Sequence, residues 1–112
     1  MRACFVICLL TALAACGSRD RGPSGITYAS GPVSDACEAG GRDKASRPLC
    51  QCVQGVANRT LTARDQTRAA AFFADPQLAQ DTRQSDNPLA EAFWRRYRVF
   101  TDAAEEICAA VV

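Results

Sequence analysis

The stretch SRPLCQCVQGV, residues 46–56, decides how this chain folds, because it combines a helix start, an apolar stripe and two cysteines. Ser46 is a favourable N-cap residue, and Pro48 suits the first helical turn that follows it. The apolar residues after them have the i, i+3, i+4, i+7 spacing of an amphipathic helix: Leu49, Cys52, Val53 and Val56. The stretch therefore predicts a helix with one buried face.

The spacing of Cys50 and Cys52 on this helix indicates their partners. Residues two apart on a helix point about 200° away from each other, so these cysteines cannot readily bond to one another. Cys52 lies on the apolar stripe, and we expect it to face the last helix and Cys108. Cys50 points the other way, toward the segment with Cys37. Of the three possible pairings, the sequence thus favours Cys37–Cys50 and Cys52–Cys108.

Disulfides are one of three interpretations of these four cysteines. An even number of cysteines in an exported chain indicates disulfides, because that compartment is oxidising. Cys50 and Cys52 could instead form a redox-active dithiol, with Arg47 as a nearby cation. Zinc sites usually contain Cys-x-x-Cys knuckles or histidines, and this chain has no histidine. We expect two structural disulfides, no metal and no other cofactor.

A short helix is predicted around Cys37. Asp35 and, three residues later, Glu38 have the pattern of a capping box, and Gly40 with Gly41 ends the helix. This helix would carry the first cysteine of the domain.

Three further helix starts follow residue 60. Thr62 with Asp65 is typical of a third helix, whose apolar residues are Ala69, Ala70, Phe72 and Phe73. The Asp-Pro pair at residues 75–76 ends that helix and begins a fourth, through about residue 84. The Asn-Pro pair at residues 87–88 repeats the signal.

The helix that begins at residue 88 is predicted to be the longest, at about 20 residues. Its apolar residues alternate in steps of three and four and define an inward face: Leu89, Phe93, Tyr97, Phe100, Ala104, Ile107 and Val111. No stretch has a convincing strand alternation. The sequence predicts an all-α fold, a small bundle of about four to five helices stapled by two disulfides.

The first 16 residues, MRACFVICLLTALAAC, predict export and lipidation. A basic start precedes an apolar run over residues 3–12, which is too short to span a bilayer. The LAAC of residues 13–16 then resembles the lipobox of bacterial lipoproteins, in which the cysteine is acylated. A plain signal peptide with an incidental Cys16 is the alternative, because Cys4 and Cys8 lie in the same apolar run.

Three segments follow from these patterns. Residues 1–15 are predicted as a lipoprotein signal peptide, 16–33 as the lipidated cysteine with a flexible tether, and 34–112 as the helical domain. The tether is inferred from its Gly, Ser, Pro, Arg and Asp content, which cannot bury enough apolar surface to fold. Gly17, rather than aspartate, follows Cys16, and by a sorting rule known for some lipoproteins this favours the outer membrane. We expect a palmitate-bearing lipoprotein on the periplasmic side of the envelope.

The balanced charge of residues 17–112 excludes a nucleic-acid partner, and one local basic cluster remains to be explained. Residues 17–112 contain 12 basic and 12 acidic residues, because Arg2 is the one basic residue before Cys16. In the segment FWRRYR, residues 93–98, three arginines lie mostly off the apolar face: Arg95, Arg96 and Arg98. They form either a solvated surface or a patch for anionic groups such as lipid A phosphates or peptidoglycan carboxylates. We expect their joint replacement to leave the melting temperature nearly unchanged.

Three segments resemble a family of small alphaproteobacterial envelope proteins: LCQCV (residues 49–53), RQSD (83–86) and FWRRY (93–97). The likeness runs from Cys37 to Cys108. Some members of that family are labelled "arginine transporter". The resemblance implies at most an accessory role in transport, because a permease needs several membrane-spanning helices.

These patterns favour a lipid-anchored, non-catalytic structural or interaction domain, with an envelope protein or a cell-wall component as its partner. One alternative is an accessory component of arginine transport. The other is a thiol-redox protein that uses Cys50 and Cys52. No grouping of acid, base and nucleophile indicates an enzyme, and the absence of histidine removes Ser-His and Cys-His chemistry.

Overall fold

The computed structural model describes residues 25–40 and 45–111, and this part of the chain contains five α-helices and no β-strand. In chain order they are α1 (Pro32–Ala39), α2 (Arg47–Thr60), α3 (Ala63–Ala74), α4 (Pro76–Arg83) and α5 (Pro88–Cys108). The all-α prediction is confirmed. Within the described ranges, no helix has the length and hydropathy needed to cross a membrane. The predicted signal peptide, Cys16 and residues 17–24 lie outside the described residues.

Four of the five helices begin where their capping residues predict. In each case a side-chain oxygen accepts a hydrogen bond from an amide of the first turn, which has no partner within the helix. The caps are Ser46 (3.2 Å from Leu49 N), Thr62 (3.2 Å from Asp65 N), Asp75 (3.1 Å from Gln77 N) and Asn87 (2.8 Å from Leu89 N). Local polar signals are therefore enough to define these four starts.

The first helix starts earlier than predicted. It begins at Pro32 rather than beside Asp35, so Asp35 and Glu38 lie inside the helix and do not form its capping box. The reason is a cap supplied by another helix. The side-chain oxygen of Gln54, on α2, accepts hydrogen bonds from the amides of residues 33–34 at 2.8 and 3.0 Å. The Ser34 hydroxyl adds a local contact, since it accepts a hydrogen bond from the Gly31 amide at 2.9 Å. A tertiary contact and an unpredicted local one thus set this helix start together.

The packed part of the chain also starts before residue 34, inside the segment predicted as a tether. Ile26 is 7% exposed and Val33 is fully buried. Gly55 of α2 makes room for this segment, because a Cβ at that position would overlap the carbonyl oxygen of Thr27. Composition alone indicates flexibility here, since it cannot show that a distant glycine provides the packing site.

Two disulfides join α2 to α1 and to α5. The bonds are Cys37–Cys50 and Cys52–Cys108, with Cα–Cα distances of 5.6 and 5.9 Å, so the predicted pairing is confirmed. Closing the two loops stabilises the fold by roughly 3 and 4 kcal/mol in the chain-entropy account. These contributions are comparable with the whole net stability of a small domain.

The core lies where α2, α3 and α5 meet. Phe93 and Phe100 of α5 are buried, as their inward face predicts, and the ring of Phe72 packs edge-on against Phe93 with 5.9 Å between centroids. Leu89, predicted on the same face, is 78% exposed. It lies in the first turn of α5, beside the arginines of α3 rather than over the apolar core.

Replacing Phe100 by alanine tests this assignment of the buried face. We expect Phe100→Ala to lower the free energy of unfolding by ~3–5 kcal/mol, because it leaves a large cavity in the core. Its neighbour Val99 is 61% exposed, and Val99→Ala should change stability by less than about 0.5 kcal/mol. Urea unfolding with the disulfides intact measures both. Equal effects of the two substitutions would contradict the assignment.

Candidate functional site

The most buried polar side chain, Gln54, has a structural role. Its oxygen caps α1, and its Nε2 donates hydrogen bonds to Asn58 Oδ1 at 2.9 Å and Gln66 Oε1 at 2.8 Å. Gln66 in turn donates to the carbonyl oxygens of Ala57 and Leu61 at 3.4 and 3.3 Å. Every buried side-chain nitrogen or oxygen of the described residues has a hydrogen-bond partner. This polar cluster holds α1, α2 and α3 together rather than offering an unpaired group to a ligand.

The four predicted disulfide cysteines form structural links between helices. Cys50 and Cys52 are fully buried, and each bonds to a cysteine of a different helix. This geometry favours cross-links over a reactive dithiol, which needs an accessible sulfur. Within residues 25–40 and 45–111, no three His, Cys, Asp or Glu side chains lie close enough together to hold a metal ion.

An open groove of about 850 Å³ is lined by residues of α2, α3 and α5 and by Val111 near the end of the described chain. Aromatic and aliphatic side chains form most of its surface: Leu49, Val53, Phe73, Tyr97, Phe100 and Ala104. Glu105 is its charged lining residue, and Ser46 and Thr101 add hydroxyl groups. The groove combines a largely apolar wall with one carboxylate.

The three predicted patch arginines do not form one surface. Arg96 turns toward α3, where its Nε and Nη2 donate to the Asp65 carboxylate at 2.7 and 3.1 Å. Arg98 instead reaches Asp102 on its own helix, at 3.5 Å. Arg95 is exposed. Two residues apart on a helix, Arg96 and Arg98 point in nearly opposite directions.

Arg96 belongs to a different cluster, which we call the arginine recess. The recess has a volume of about 520 Å³ and lies between α3 and α5. Its lining residues are Arg64, Asp65, Thr67, Arg68, Leu89, Ala92 and Arg96. Arg64 and Arg68 were not among the site residues predicted from the sequence. Their spacing of four residues places them on one side of α3, but no local pattern shows which helix that side meets.

Charge in the recess is set by the pair of Asp65 and Arg96. Hydrogen bonds from Arg96 lower the pKa of Asp65 below its ordinary value; burial opposes this shift, while the charges of Arg96 and Arg68 add to it. The hydrogen bond to Asp65 correspondingly raises the pKa of Arg96. At neutral pH the recess therefore contains three cations and one carboxylate, and it remains positively charged.

Comparison with protein-family models, curated proteins and solved structures finds no match to this chain. The resemblance to envelope proteins thus stays a prediction from residues 49–53, 83–86 and 93–97.

The ion pair predicts that replacing Arg96 lowers the melting temperature more than replacing Arg98. The Asp65 side chain is only 10% exposed, so Arg96→Gln would leave a largely buried carboxylate without its cation. We expect a fall of several degrees in melting temperature. Arg98→Gln is the matched control; its pair with Asp102 is exposed on both sides, and we expect a change of at most about 2 °C. Because of this ion pair, we no longer expect the joint replacement of Arg95, Arg96 and Arg98 to leave the melting temperature nearly unchanged.

The stability difference between wild type and Arg96→Gln should also depend on pH. Because the pKa of Asp65 is lowered in the folded protein, the pair stabilises the fold above the ordinary value of 3.8. That contribution is lost as the pH falls from 3.8 through the lower pKa of the folded state. The difference in melting temperature between wild type and Arg96→Gln should therefore become smaller below pH 3.8. A gap that is constant with pH would contradict the role of the carboxylate.

Proposed function

We propose that this protein is a lipid-anchored, non-catalytic interaction domain of a bacterial envelope. In this proposal it is exported, acylated on Cys16 and held on the periplasmic side of a membrane, the outer membrane in preference to the inner. The LAAC motif of residues 13–16 and the apolar run before it support the anchor. Two acyl chains or more would hold the protein stably, since a single chain binds only marginally.

The observation that carries the proposal is the pair of buried disulfides. Cytosolic thiols are kept reduced, whereas disulfides persist in the periplasm and at cell surfaces. Cys52 joins α2 to α5 across 56 residues of sequence, so the fold depends on a bond that an oxidising compartment maintains. This requirement agrees with an export signal at the N-terminus.

Two surface features support interaction rather than chemistry. The apolar groove is open and has few polar groups, and ligand-binding sites are commonly concave and mostly apolar in the same way. The arginine recess presents cations held by neighbouring side chains. In the interior, Gln54 and Gln66 are hydrogen-bonded to helix ends and to each other. The described residues thus provide binding surfaces, and we propose no catalytic step for them.

Glu105 supports a second candidate, an accessory that binds arginine. A carboxylate beside apolar walls is suited to a guanidinium group, which it can bind through two hydrogen bonds. If this role is correct, calorimetry with L-arginine should detect binding that Glu105→Gln abolishes. Glu106→Gln is the control, since Glu106 is next in sequence and does not line the groove. No heat of binding to the unsubstituted protein would exclude this candidate.

Substitution of Cys16 tests the principal proposal. We expect Cys16→Ser to abolish incorporation of labelled palmitate, block processing by the lipoprotein signal peptidase and release the protein from acyl-dependent anchoring. Cys8→Ser is the matched control, because Cys8 lies in the apolar run and outside the lipobox; its anchoring should be unchanged. Membrane fractionation and labelling measure both variants. Normal labelling, cleavage and membrane retention of Cys16→Ser would refute the proposal.

A further inference from the structure

We propose that the arginine recess between α3 and α5 binds the phosphate headgroup of an anionic phospholipid and docks this side of the domain on a membrane surface. The inference deepens the proposed function, since it rests on a domain tethered beside a membrane and names the ligand that orients it. Three observations support it: the net charge of the recess, the fixed positions of its cations and the exposed apolar residues on the same side of α5. The length of the predicted tether agrees with it.

The recess presents more positive charge than it neutralises. Arg64 and Arg68 are one turn apart on α3, and Arg96 faces them from α5. Asp65, the acidic residue of the lining, already binds Arg96 through two hydrogen bonds. Two positive charges therefore remain for an anion. Guanidinium groups bind phosphate oxygens in a planar, two-pronged geometry, which makes arginine well suited to this ligand.

Two of the three arginines are held in place by the protein itself. The guanidinium carbon of Arg68 lies 4.3 Å from the ring centroid of the buried Phe93, within the range of a cation–π contact. Arg96 is held by the Asp65 carboxylate and lies 5.9 Å from the same ring. Since these long side chains are already ordered, they lose less conformational entropy when a ligand binds.

Exposed apolar residues beside the cations favour a lipid over a free phosphate. Leu89 is 78% exposed and Val99 is 61% exposed. With Ala92 and Arg96 they occupy positions 89, 92, 96 and 99, a spacing of three and four residues that places them along one side of α5. On a helix at a lipid surface, apolar side chains enter the acyl boundary while arginines reach the phosphates. A soluble anion would give Leu89 and Val99 no apolar environment.

The predicted anchor would keep this side within reach of the lipid surface. Eight residues lie between Cys16 and Gly25, the first described residue, and the nine steps from one to the other span at most about 30 Å. A tether of that length raises the effective concentration of headgroups around the domain. A contact that is weak in free solution can then set the orientation of the anchored protein.

Vesicle binding by the full chain tests the proposal. All variants carry Cys16→Ser, so that acylation cannot contribute. The test variant is Arg64→Gln/Arg68→Gln, which leaves the pair of Asp65 and Arg96 intact. The control is Arg47→Gln/Arg98→Gln, which removes the same charge from residues outside the recess. Co-sedimentation with phosphatidylcholine vesicles, with and without phosphatidylglycerol, gives the affinities.

We expect binding to vesicles with phosphatidylglycerol, weakened about tenfold or more by the test variant, because each surface cation contributes strongly to attraction by anionic lipid. The control should stay within about twofold of the parent chain. Leu89→Ser should weaken vesicle binding while leaving any binding of inorganic phosphate unchanged. If the double variant lost its cooperative melt, Arg64→Gln against Arg98→Gln would give the same comparison, because Arg64 is exposed.

Three results would overturn the inference. Equal losses in test and control variants would mean that general charge, not the recess, attracts the lipid. An equal effect of the test variant on vesicles with and without phosphatidylglycerol would remove the anionic headgroup as the ligand. Inorganic phosphate that binds as tightly as the vesicles would identify a free anion instead. These outcomes are independent of the anchor, whose failure would appear as unchanged acylation and membrane retention of Cys16→Ser in cells.

Discussion

The two-residue spacing of Cys50 and Cys52 is the constraint on which the rest of the structure depends. On a helix it directs the two sulfur atoms to nearly opposite sides, so one disulfide ties α2 to α1 and the other ties it to α5. Between these links the Gln54 side chain caps α1 and contacts α3 through Gln66. The second helix thus acts as the central support, and the others are arranged around it.

Both candidate binding surfaces are consequences of that arrangement, since each lies between helices distant in sequence. The groove forms where Leu49 and Val53 of α2 meet the aromatic side of α5. The arginine recess forms where α3 meets the start of the same helix, with Phe93 beneath two of its cations. A small domain stapled in this way holds such surfaces in fixed geometry, so that binding a ligand there would cost the protein little conformational entropy.

The sequence was sufficient wherever a local signal determines the structure. Capping residues predict four helix starts, and the facing of the two cysteines on α2 predicts their partners. Other features depend on contacts between distant segments. The cap that Gln54 provides for α1, the space that Gly55 leaves for Thr27 and the meeting of Arg96 with Asp65 have no local signature. For the same reason the predicted arginine patch differs from the cluster that the fold assembles.

Disulfide mapping of the protein, produced in an oxidising compartment and kept unreduced, tests this account most directly. Trypsin leaves Cys50 and Cys52 in one peptide, so the linked peptides must be fragmented between these two residues without reduction. The account predicts that the Cys50 fragment carries the Cys37 peptide and that the Cys52 fragment carries the Cys108 peptide. Exchanged partners, or free thiols at these four positions, would contradict the central role of the two-residue spacing.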